Sequence, residues 1–178
     1  MRIEYKKIQK MVLSAVFIAI GIVLPFITMQ IPEVGNMLLP MHIPVILCGF
    51  FLGWKYGLLV GFILPLLRSL LFGMPPLMPV AISMSFELAT YGCVIGYMGN
   101  KRREISWTYF SLIIAMLVGR IVWGIVSFIL YKMLGNGFTL QIFFAQGFLN
   151  AIPGIIIQLI LIPVIIRGVQ KAGSVHNV

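Results

Sequence analysis

Apolar segments long enough to cross a bilayer follow one another along nearly the whole chain, and only three charged residues stand inside them: Arg68, Glu87 and Arg120. This pattern restricts the possible folds more than any other feature. A charge in hydrocarbon costs roughly 2.5–3.5 kcal/mol on insertion scales, so it survives mainly where it faces a partner, a cavity or a ligand. Two cationic groups and one anionic group in an apolar bundle point to a pocket for something that carries negative charge.

Composition supports the same reading. The 178 residues are 61% hydrophobic and 10% charged, with a mean hydropathy of +1.08; soluble domains carry about 25% charged residues. The fold class is therefore an all-α polytopic membrane protein, a single integral-membrane domain over residues 1–178. At about 20 residues per pass, six passes use roughly 120 residues, and the remainder suffices only for short loops and tails. The net charge of +9 does not imply nucleic acid, because the basic residues sit at segment ends, where they orient a chain in a bilayer. Cys48 and Cys93 lie in apolar stretches and read as small buried hydrophobes; no Cys–His cluster suggests a metal, and no cofactor is implied. The basic N-terminus (Arg2, Lys6, Lys7, Lys10) is followed by an apolar run to Met29, too long for a signal peptide and without a small-x-small cleavage site, so it reads as an uncleaved first helix.

Turn chemistry divides the chain into helices at about 10–29, 41–53, 56–73, 79–99, 106–133 and 139–168. The segment from Gln30 to Asn36 is rich in turn formers. Pro75, Pro76 and Pro79 stop any helix through 73–79, since each removes a donor and clashes with a preceding carbonyl. Asn100 to Glu104 forms a polar hinge, and Gly135-Asn136-Gly137 a turn. Helix 2 is short for a full span; the runner-up topology makes helices 2 and 3 a re-entrant pair. With both termini cytoplasmic, ten basic residues lie inside (Arg2, Lys6, Lys7, Lys10, Lys55, Lys101, Arg102, Arg103, Arg167 and Lys171) and only Lys132 outside, a strong positive-inside bias that favours an even number of spans.

Polar residues recur at helical spacing around the three charges. Ser83, Glu87 and either Thr90 or Tyr91 share a stripe of helix 4; Arg120, Trp123 and Ser127 share one on helix 5; Gln146 and Asn150 are a turn apart on helix 6, just before Pro153. Each stripe alone suits interhelical hydrogen bonding. Three of them in the outer half of the bundle favour a cavity. Glu87 either bridges one arginine as a plain helix tie or joins a ligand site, and the second arginine then lacks a carboxylate; Arg68 also has the option of snorkelling to the outer surface. His42, between Pro40 and Pro44, either caps the outer pocket or sits at the interface. The loops at 30–40 and 73–79 are candidate lids. Ala15 and Ala19 form a small-xxx-small pair that lets another helix approach closely in lipid, and Gly49/Gly53 and Gly57/Gly61 repeat the theme on helices 2 and 3. No Gly-rich phosphate loop, His-Glu-x-x-His or Gly-x-Ser-x-Gly occurs, so neither an ATPase nor an enzyme of those classes is indicated.

The run His42-Ile-Pro-Val-Ile-Leu-Cys-Gly-Phe-Phe-Leu-Gly-Trp-Lys-Tyr-Gly-Leu-Leu-Val-Gly61 resembles the helix 2–3 hairpin of substrate-binding S components of energy-coupling factor (ECF) vitamin transporters. In that family an Ile-Pro pair opens helix 2, often preceded by Asp where this chain has His42, and spaced glycines bracket the turn. Ala15 and Ala19 match the family's Ala-xxx-Ala motif on helix 1. The resemblance implies a prokaryotic cell-membrane protein of six helices that binds a vitamin from outside and docks through Ala15 and Ala19 on a transmembrane T component, driven by two ABC-type ATPases. It places substrate toward the outer side, among helices 4–6 and under the loop joining helices 1 and 2; the candidate binding residues are Arg68, Glu87, Tyr91, Arg120, Trp123, Gln146, Asn150 and His42. The stretch from Leu66 to Pro76 looks most like the pantothenate-type branch. Pantothenate has one carboxylate, which suits an arginine fork. Biotin, also a monoanion, is the alternative within the family. Outside the family, an autonomous secondary carrier has only Glu87 as a coupling carboxylate within the membrane.

Overall fold

The computed structural model describes residues 2–27, 37–99 and 104–171, and among them every regular element is a helix. Helix α1 spans Arg2–Ile27, α2 His42–Leu52, α3 Trp54–Phe72, α4 Ile82–Met98, α5 Ile105–Met133, α6 Leu140–Phe144 and α7 Ile152–Lys171. A π turn at Leu77–Ala81 leads into α4, and another at Ala145–Leu149 joins α6 to α7. The turn residues 30–36, the hinge at 100–103 with its three basic side chains, and the tail with His176 lie outside the described residues.

Where the sequence suggests six spanning helices, the described residues hold five long and apolar enough to cross a membrane, and α2 is the exception. Its 11 residues make about 16 Å at 1.5 Å per residue, against a hydrocarbon core of about 30 Å. Helix α3 is long enough by itself, so the re-entrant alternative narrows to α2. Helix 6 also differs from expectation: it is broken into α6 and α7, and the π turn accommodates the run that ends at Asn150, with Pro153 in the first turn of α7.

The short helix is the hub of the bundle. Nine of its 11 residues are buried. One face packs Ile46, Leu47 and Phe50 against Tyr91 and Ile95 of α4, Leu112 and Met116 of α5, and Ile162 and Ile166 of α7. The other packs Met41, Val45, Cys48 and Leu52 against Val60 and Leu64 of α3 and Leu88 of α4. A helix apolar all round is a helix surrounded by protein, which is why α2 needs no full span.

Two turns require glycine. Gly53, between α2 and α3, has φ 96°, and Gly73, after α3, sits in the left-handed region at φ 68° with its N–H on the Ser69 carbonyl at 2.8 Å. The spaced glycines of α2 and α3 do more than close the hairpin. Gly49 and Gly57 both abut the backbone of Gly92 on α4, Gly61 abuts Leu88 and Ala89, and Gly96 abuts Trp54. The hairpin and α4 thus touch backbone to backbone, the close approach that small residues allow in lipid. Trp107 Nε1 donates to the Met98 carbonyl at 2.7 Å and ties the start of α5 to the end of α4.

Helix α1 is attached more lightly. Only 11% of its apolar window is buried, and Met11, Val12, Val16, Ile20 and Val23 face outward. Ala15 and Ala19 are exposed on it.

Candidate functional site

Glu87 of α4, only 1% exposed, sits where three helices meet. Its Oε1 lies 3.0 Å from Nη1 of Arg120 on α5 and 3.5 Å from Nε2 of His42 at the start of α2. Tyr91, one turn below Glu87, packs edge-on against the His42 ring at a centroid distance of 5.1 Å and is within electrostatic reach of both Glu87 and Arg120. Gly119 makes room for that tyrosine: a methyl there would come within 2.6 Å of Tyr91 Cε2. Thr90 turns its hydroxyl back to the Phe86 carbonyl at 2.7 Å, so Tyr91 is the residue of that pair that joins the charged group.

These residues border a cavity of about 230 Å³. His42, Glu87 and Arg120 supply its charged and titratable wall; Ser83, Ser127, Gln146 and Asn150 add polar groups; Trp123, Tyr131 and Met84 add apolar surface. Ser83 is already engaged, its hydroxyl donating within its own helix to the carbonyls of Pro79 and Val80 at 3.0 Å. The aromatic side is braced: Trp123 stacks on Phe143 of α6 at 6.1 Å and meets Phe138 edge-on at 5.9 Å.

Hydrogen bonding inside this wall is incomplete. The Glu87 contacts are close enough for ion pairs but miss hydrogen-bond angles. Oε1 of Glu87, Nε and Nη2 of Arg120, both ring nitrogens of His42 and Oγ of Ser127 are buried with no hydrogen-bond partner. Well over 90% of buried polar groups have such a partner in folded proteins, and each one without it costs about 1–3 kcal/mol. Six such atoms around one cavity, from four residues on three helices, make a surface matched to a polar ligand. Nε and Nη2 form one complete edge of the guanidinium, the fork that pairs with both oxygens of a carboxylate.

Of the eight residues the sequence nominates for binding, the structure brings six to this cavity: His42, Glu87, Arg120, Trp123, Gln146 and Asn150. Tyr91 supports it from behind. Arg68 is elsewhere. It is 3% exposed, its Nη1 donates to the Ile22 carbonyl of α1 at 2.7 Å, and its guanidinium lies 5.5 Å from the Phe26 ring and 5.6 Å from the Phe72 ring. Among the described residues no carboxylate pairs with Arg68. Without it, the cavity's formal charges are Arg120 and Glu87, which balance. Tyr131 was not among the nominated residues, although it continues the spacing Arg120, Ser127 by a further turn.

Two comparisons place the chain no further: no curated protein and no solved structure matches it. The family model described as "ECF transporter, substrate-specific component" matches residues 9–166, which include α2 to α6 entire, most of α1 and α7, and every residue of the cavity. Proteins of this kind are transport proteins rather than enzymes; they bind a small-molecule substrate in the membrane and work with a T component and ATPases. The five long apolar helices agree with a multi-pass membrane protein. The chain belongs to the family of substrate-specific components of ECF transporters.

Proposed function

We propose that this protein captures a small monocarboxylate micronutrient from outside the cell, with pantothenate the best fit, and delivers it to an ATP-driven ECF module. The observation that carries this reading is the Nε–Nη2 edge of Arg120, buried in the cavity wall without a hydrogen-bond partner. A carboxylate on that edge makes two charge-assisted bonds. Gln146 and Asn150, which line the same cavity, have amide groups that suit a ligand amide and hydroxyls, and Trp123 covers the apolar part. His42 and Glu87 complete the polar wall.

Arg68 carries none of this reading; it serves the seam between α1 and α3. Both termini are proposed to lie in the cytoplasm, with α2 and the residues before it returning the chain across the bilayer so that the parity of six passes is kept. Ala15 and Ala19, exposed on the lightly held α1, are the proposed contact with the T component, and two ABC-type ATPases supply the energy.

Mass spectrometry of small molecules that copurify with the detergent-solubilised protein tests the substrate. Pantothenate, or another monocarboxylate of similar size such as biotin, is the expected result. Recovery of only uncharged or cationic compounds would overturn the assignment.

A further inference from the structure

The charges in the cavity wall leave an imbalance that a carboxylate ligand would expose. Arg120 carries +1 and Glu87 −1, at 3.0 Å from each other, and Arg68, the other buried cation, is committed to Ile22. A monoanion placed on the Nε–Nη2 edge of Arg120 gives one cation facing two anions beside side chains that are themselves almost fully buried. A buried charge without a partner is strongly unfavourable. One group in the wall is placed to correct this. His42 is fully buried, its Nε2 is 3.5 Å from Oε1 of Glu87, and both its ring nitrogens lack a hydrogen-bond partner. Imidazole is the side chain whose charge ordinarily changes between about pH 5 and 8.

We propose that the site takes its anion together with a proton: the carboxylate on Arg120, the proton on His42, with the imidazolium paired to Glu87. This rests on the reading of the cavity as a carboxylate site and adds a second, ionic specificity to it. The titratable and charged groups facing His42 are Glu87 and Tyr91 from α4 and Arg120 from α5, with Tyr131 of α5 on the same cavity. Among the described residues, the other helices packed on α2 bring no further charge to it. Lys6, Lys7 and Lys10 of α1, Lys55 of α3, and Arg167 and Lys171 of α7 belong to the opposite ends of their helices, and Arg68 is engaged at Ile22. The arrangement predicts that a protonated acid or a zwitterion is also taken without a net change in charge, whereas a dianion is rejected.

The test is calorimetric titration of the full-length protein with sodium pantothenate in two buffers of different ionisation enthalpy at about pH 8, where an ordinary imidazole is neutral. The expected result is uptake of about one proton per pantothenate, and an affinity that falls about tenfold per pH unit as pH rises through this range. The corresponding alcohol, pantothenol, is expected to bind with no proton uptake. In His42→Gln, shown to be folded by its melting curve in detergent, the proton uptake that accompanies pantothenate is expected to disappear. Pantothenate binding with no proton taken up overturns the proposal and leaves the carboxylate reading standing. Undiminished proton uptake in His42→Gln assigns the proton elsewhere and overturns it too. If pantothenate does not bind, whether or not the alcohol does, the pantothenate reading fails first and this inference with it.

Discussion

Arg120 offers Glu87 only its Nη1, at 3.0 Å, and keeps the Nε–Nη2 edge without a hydrogen-bond partner. The pair therefore fixes the guanidinium in place without using it up. Neither a simple helix tie nor a free binding arginine has this arrangement.

Arg120→Lys tests that edge. Lysine keeps the positive charge beside Glu87 but is a point donor without the planar fork. Affinity for pantothenate is expected to fall about tenfold or more, the worth of one charge-assisted bond, with little change in thermal stability. Calorimetric titration of the purified variant reads the first and a melting curve in detergent the second; unchanged affinity would remove the fork from the site.

Arg68→Met should give the reverse result. The residue is buried between Phe26 and Phe72 and bonded to Ile22, away from the cavity. Loss of that bond is expected to lower stability by about 1–2 kcal/mol and to leave ligand affinity within about twofold. A large loss of affinity at unchanged stability would return Arg68 to the binding residues.

Gly92→Ala is expected to damage the bundle itself. A methyl at Gly92 would run into the backbone of Gly57, and overpacking of this kind costs about 1–3 kcal/mol. Gly168 is the matched control, also within a helix but with nothing within 4 Å of an added methyl; there alanine should be neutral, or stabilising by up to about 1 kcal/mol through helix propensity. Melting temperature in detergent distinguishes the two, and a Gly92→Ala protein as stable as the original would contradict the backbone contact.

Ala15→Trp or Ala19→Trp adds bulk on an exposed face of α1. Ligand binding by the isolated protein is expected to be intact while uptake by cells carrying the whole transporter is lost. Normal uptake would place the docking surface elsewhere.

Much of the site was legible because helical spacing is simple arithmetic. Glu87 with Tyr91, Arg120 with Trp123 and Ser127, and Gln146 with Asn150 each lie on one stripe, and the structure turns those stripes to one another. Tyr131 was legible by the same spacing. Arg68 lies away from the cavity, held by the Ile22 carbonyl and the Phe26 ring of α1 and by the Phe72 ring of its own helix. Nothing in the sequence near residue 68 announces Ile22, whereas a carboxylate partner would have been visible as a letter. The glycines of α2 and α3 were recognised as close-packing positions, but their main partner, Gly92, which forms the same spacing with Gly96 on α4, was not. The break in the last long helix was hidden for a related reason: a π turn changes the hydrogen-bond step without changing the apolar pattern.

The brevity of α2 has a consequence for where the ligand rests. Lys55, just after this helix, lies over Trp54 at 5.6 Å, and a lysine there belongs at the headgroup level. His42, ten residues before Leu52 at the other end of the helix, is then about 15 Å deep, close to the midplane of the bilayer. Under the proposed reading, the room for the solute is made by a helix that is short and not by neighbours that splay apart.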